Sequence, residues 1–91
     1  MTKAELIEAV AERSRLSRRE SARALEATLA VIEETVAAGG EISLSGFGRF
    51  HAGSRAARAG VNPRTGEPIR IDAMRVPRFT AGSALKKAVR A

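Results

Sequence analysis

The sequence predicts an α+β fold: two N-terminal helices, a three-stranded antiparallel sheet carrying a long protruding β-ribbon arm, and a short C-terminal helix. Three observations predict it. Apolar residues recur at helical spacing as far as Val36, and after Gly39-Gly40 the period switches to alternation. The 22 residues from Gly53 to Met74 then hold few large apolar groups around a strong turn signal. A chain of 91 residues makes a single domain, 1–91, with the arm at about 53–74.

The first helix opens on Thr2 and Glu5, a capping box in which each side chain satisfies a backbone N–H of the other. Leu6, Ile7, Val10 and Ala11 form its apolar stripe. Ser17-Arg18-Arg19-Glu20 repeats the signal and opens a second helix, where Ala22, Leu25, Leu29, Ile32 and Val36 step by three and four, a seam suited to packing along another helix. Gly39-Gly40 ends it, because glycine accepts the left-handed C-cap conformation.

Ile42 and Leu44 alternate with Glu41, Ser43 and Ser45 as a half-buried strand. Gly46-Phe47-Gly48 is a tight turn whose glycines permit positive φ around an aromatic. The next strand turns Phe50 and Ala52 inward and Arg49 and His51 outward, so His51 reads as a solvent-face residue rather than a ligand.

Two limbs of about ten residues flank Asn62-Pro63-Arg64-Thr65-Gly66, giving a ribbon about 30 Å long. Such a ribbon buries too little apolar area to offset its own ordering entropy. Ile69 and Ile71 share one parity and Met74 and Val76 the other, which predicts a bulge near Asp72-Ala73-Met74. Val76 and Phe79 anchor the return to the body, with Pro77 at an edge or bend. Gly82-Ser83 starts the closing helix, with Leu85, Ala88 and Val89 on one side and Lys86, Lys87 and Arg90 toward its C-terminus, where the helix dipole favours cations.

Composition excludes more than it assigns. There is no cysteine, hence no disulfide or thiolate site, and one His, one Asp and no Tyr leave few parts for an active site. No catalytic residue, metal site, cofactor, small-molecule substrate or membrane partner is expected. No apolar run reaches the roughly 18 residues of a spanning helix, and the N-terminus lacks the pattern of a secretory signal. Charge is more informative. Residues 1–45 carry six basic and eight acidic groups, whereas residues 46–91 carry ten basic and two acidic. A near-neutral half followed by a strongly basic one describes a body plus a polyanion-binding surface. The roughly 70 residues outside the arm make a marginal body. Its second-helix seam and three Phe are more apolar than one small sheet needs. An obligate homodimer is therefore expected, sharing a core of Leu25, Leu29, Ile32, Val36, Leu44, Phe47, Phe50 and Phe79.

These residues are recognisable together. Leu44-Ser45-Gly46-Phe47-Gly48-Arg49-Phe50, then Arg55-Ala56-Ala57-Arg58 with Gly60, Asn62, Pro63, Thr65 and Gly66, then Val76-Pro77 with Phe79 and Leu85-Lys86, resemble the HU/integration host factor family of bacterial histone-like proteins. The resemblance is strongest to its homodimeric HU members and runs from Lys3 to about Val89. It implies an intertwined dimer with two β-ribbon arms that enter the DNA minor groove, bend or kink the duplex with little sequence specificity, and condense the nucleoid in the bacterial cytoplasm. HU and integration host factor are established minor-groove architectural proteins. The alternative within the family is an integration-host-factor-like subunit with a site preference.

The resemblance implies DNA contacts from Arg55, Arg58, Gly60, Arg70 and Arg75 along the arm, from Asn62, Pro63, Arg64 and Thr65 at its tip, and from Lys3, Arg78, Lys86 and Lys87 on the body. Pro63 would wedge between base pairs, being apolar, rigid and free of an N–H that needs a partner. Double-stranded DNA is then the partner, and nicked, gapped or kinked forms, already partly unstacked, should bind more tightly. Val61 stands where the family commonly has a basic residue. Gly53, Thr80 and Ser83 replace frequent cations and Asp72 a frequent proline.

Overall fold

The computed structural model describes residues 1–55, 58–71 and 73–90. The chain divides into two compact units, Met1–Glu34 and Thr35–Ala91. In order it forms α1 (Lys3–Ser14), α2 (Arg18–Ala37), β1 (Ile42–Leu44), β2 (Gly48–Arg55), β3 (Arg58–Val61), β4 (Pro68–Ile71), β5 (Met74–Ala81) and α3 (Ser83–Arg90). Among the described residues no helix is long and apolar enough to cross a membrane.

Both predicted capping boxes form. The Glu5 N–H donates to Thr2 Oγ1 at 3.2 Å and the Thr2 N–H to Glu5 Oε1 at 3.2 Å. At the second helix the Ser17–Glu20 pair does the same at 3.0 Å in each direction. The Ser17 backbone N–H, which donates to the carboxylate, and after it the Ser17 hydroxyl hold the Glu20 carboxyl below its ordinary pKa. The end of α1 carries no glycine; Arg15 itself takes the left-handed conformation, φ 64°, and its N–H donates to the Ala11 carbonyl. Glycine does close α2. Gly39 has φ +88°, its N–H donates to Val36 O at 3.0 Å, and the Gly40 N–H donates to Thr35 O at 2.9 Å. The two bonds form a Schellman motif.

β1, β2 and β5 make the three-stranded antiparallel sheet in the order β1-β2-β5, while β3 and β4 pair as a separate two-stranded ribbon. Phe50 pairs with Ile42 on one side and Phe79 on the other. Paired residues share a face, so Phe50, Phe79, Pro77 and Arg75 lie on one side of the sheet, and Arg49, His51, Gly53, Val76, Arg78 and Thr80 on the other. Val76, half-buried, thus lies on the face opposite Phe79. The predicted bulge centres on Asp72, which lies outside the described residues. The β2–β5 ladder ends at the Arg55–Met74 pair and the β3–β4 ladder at Arg58–Ile71.

The Gly46-Phe47-Gly48 turn differs in one particular from the expectation of two positive φ angles. Gly46 has φ +79°, the conformation a type II turn takes at its third residue. Gly48 is required for space instead: a Cβ there would overlap the Phe79 ring and come within 2.8 Å of the Thr80 carbonyl. The Gly46 carbonyl then accepts from the N–H groups of Ala84 at 3.0 Å and Leu85 at 3.2 Å, satisfying donors in the first turn of α3.

Among the described residues no apolar side chain is buried, and the sole buried polar one is Ser21. Phe79 lies 4.8 Å from Phe50 and 5.8 Å from Phe47, ring centre to ring centre, yet Phe47 is 49% and Phe79 43% exposed. Leu29 and Leu44 are likewise exposed, while Leu25, Ile32, Val36 and Phe50 are half-buried.

Candidate nucleic-acid interface

The ribbon tip is a built structure. The Asn62 N–H donates to Glu67 O at 2.8 Å and the Gly66 N–H to Asn62 O at 2.8 Å, closing a loop beyond the Val61–Pro68 pair. Gly66 takes φ +73° in open space. Within the loop, Asn62 Oδ1 accepts from the Arg64 N–H at 2.9 Å and Thr65 Oγ1 from the Glu67 N–H at 3.2 Å. The first of these is an Asx turn bracketing Pro63. It fixes which way the Asn62 amide points: the oxygen is used internally and the NH₂ group is left to donate. Pro63, Arg64 and Thr65 are exposed at the apex.

The limbs below the tip place the remaining arm residues. Arg55 ends β2 and Arg58 begins β3. Gly60 pairs with Ile69, and Arg70, exposed, pairs with Ala59.

The cations of the sheet and helices divide by what they touch. Arg75 lies on the Phe face, and its Nη2 donates to the carbonyls of Val36 at 3.2 Å and Ala37 at 3.1 Å, at the C-terminus of α2. Arg78 lies on the outward face, beside His51 and Arg49. Arg49 pairs with Glu41 at 3.5 Å, and His51 Nε2 is 2.9 Å from Thr80 Oγ1. Lys3 pairs with Glu26 at 3.3 Å, and Lys86 and Lys87 are exposed on α3. The geometry brings Asn62, Pro63, Arg64 and Thr65 together at the tip and places Arg78 on the outward face, whereas Lys3 and Arg75 have intramolecular partners. Sequence reasoning missed the Arg75 contact, although its parity with Phe79 carried the signal.

The sequence profile of the family described as bacterial DNA-binding protein matches residues 1–90. The chain is 52% identical over 88 residues to the DNA-binding protein HU of Streptococcus thermophilus, covering 97% of each chain. It is 47% identical over 90 residues to HU-alpha of Escherichia coli, covering 99% of this chain and all of that one. Among solved structures it resembles an Anabaena HU–DNA cocrystal structure at TM-score 0.91 and 42% identity, covering 98% of this chain and 97% of the other. A mutant HU from Thermotoga maritima matches at TM-score 0.72 and 30% identity, covering 98% of this chain and 99% of the other. These relatives are HU proteins, and the site-preferring alternative finds no support in them.

Proposed function

The chain belongs to the bacterial DNA-binding protein family and is of HU type, and from that premise we propose that two copies form a homodimer that binds duplex DNA through its arms and kinks it from the minor groove. The tip carries this reading: an apolar, rigid Pro63 stands exposed at the apex of a loop held by four hydrogen bonds. Beside it the Asn62 NH₂ group can donate to the acceptors that line the minor groove, which differ little between A·T and T·A. Little sequence specificity follows.

Arg55, Arg58, Arg64 and Arg70 along the ribbon, with Arg78, Lys86 and Lys87 on the body, supply phosphate contacts. Arginine outnumbers lysine among them, which suits multi-donor contacts and a narrow groove. Unstacking a base step costs about a few kcal/mol, offset by the protein surface that bent DNA reaches. Nicked, gapped or kinked DNA has less of that cost left to meet. The proposed setting is the nucleoid of a bacterial cytoplasm, where such bends condense DNA. The unburied Phe cluster supports the dimer.

Pro63→Ala tests the wedge. The Asx turn and Gly66 remain, so the variant is expected to fold normally yet to bend a doubly labelled duplex less, read by energy transfer, and to lose its preference for a nick. A bend angle equal to that of the parent overturns the wedge.

A further inference from the structure

On the outward face of the sheet, Arg78 stands directly opposite His51, with Gly53 one diagonal step toward the arm and Arg49 one step away from it. His51 reaches away from Gly53, its Nε2 lying 2.9 Å from Thr80 Oγ1. Arg78 goes the other way. Its side chain lies over Gly53, so that a Cβ on Gly53 would overlap Nε, stand 2.5 Å from Cδ and 3.2 Å from Cγ. The three atoms nearest that Cβ position all belong to Arg78 and none to the backbone. The empty side-chain position is thus filled by the stem of a cross-strand arginine.

We propose that Gly53 is a positioning residue: it is the seat that holds the Arg78 guanidinium at the root of the arm, where it takes a phosphate oxygen of the duplex. This rests on the DNA-binding reading above. Glycine in a strand interior otherwise weakens the strand and often marks close approach of another group; here the approaching group is a cation. A long arginine free on the surface must give up rotamer freedom when it binds. One whose stem already lies over Gly53 has less to give up.

The seat predicts an unusual separation of stability from binding. Gly53→Ala removes the space, but the atoms it meets are those of a flexible side chain, so Arg78 moves and the sheet does not. Thermal stability is expected to be equal to or above that of the parent, since alanine suits a strand better than glycine. Duplex affinity is expected to fall several-fold. Arg78→Ala is expected to lower affinity about ten-fold or more and to reduce the salt slope of log K by about 1. In the Arg78→Ala background, Gly53→Ala is expected to change affinity no further, because the two positions act as one unit.

The experiment is a double-mutant cycle on a 30-base-pair duplex across a salt series, with melting curves on all four proteins. Gly53→Ala binding as tightly as the parent, or losing the same factor with and without Arg78, overturns the seat while leaving DNA binding in place. A parent chain that does not bind duplex at all overturns the DNA-binding reading and the seat with it.

Discussion

At the scale of single residues, two serine and threonine caps and one asparagine define where the chain turns. Ser17 and Glu20 exchange hydrogen bonds at 3.0 Å, and the Ser17 backbone N–H, followed by its hydroxyl, lowers the Glu20 pKa. A carboxyl whose folded pKa lies below its unfolded value stabilises the fold above the unfolded value, and that contribution fades as pH falls through the folded one. Acidification below the ordinary carboxylate range is therefore expected to loosen the start of α2. Ser17→Ala removes the hydroxyl and leaves the backbone donor, so the Glu20 pKa is expected to rise part of the way to its ordinary value in an NMR titration, with a smaller loss of stability in acid. The caps were legible because they are local: Thr2 with Glu5 and Ser17 with Glu20 need no partner from elsewhere. The orientation of the Asn62 amide was not, since it depends on the N–H of Arg64 folded back across Pro63.

At the scale of elements, periodicity located both N-terminal helices, the sheet strands and α3, and the Gly39-Gly40 pair located the end of α2. What the sequence left open was the division of labour among cations on one strand. Arg75 and Arg78 look alike in a basic stretch, but they are three residues apart on a strand and so point to opposite faces. Arg75 completes the C-terminus of α2 through the Val36 and Ala37 carbonyls, tying the root of the arm to the helix end. Arg75→Met keeps the stem and removes the donors. It is expected to cost about 0.5–1.5 kcal/mol of stability, to speed amide exchange at the end of α2, and to leave the salt slope of DNA binding unchanged. A slope reduced by about 1 would instead make Arg75 a phosphate contact. Gly48 carries a related lesson: its need for space comes from the Phe79 ring on a strand some thirty residues away, which no local turn rule contains.

At the scale of the whole molecule, the account turns on surface that one chain leaves uncovered. Phe47, Phe50 and Phe79 stack as a cluster, and two of the three remain nearly half exposed. Sharing that cluster between two chains converts exposed aromatic area into core. Phe47→Ala is expected to destabilise the dimer by about 3–5 kcal/mol, seen as a melting temperature that depends more steeply on concentration and as a shift toward single chains in sedimentation. A variant sedimenting as a single, fully stable chain would contradict a shared core.

The central claim is that paired arms bind through many phosphate contacts and gain from DNA that yields. Titrating labelled linear and singly nicked duplexes at several salt concentrations tests it most directly. If the dimer neutralises roughly eight phosphates, log K falls with log salt at a slope of about −7, and the nicked duplex binds more tightly at every salt concentration. A slope near zero, with equal affinity for the two duplexes, would contradict it.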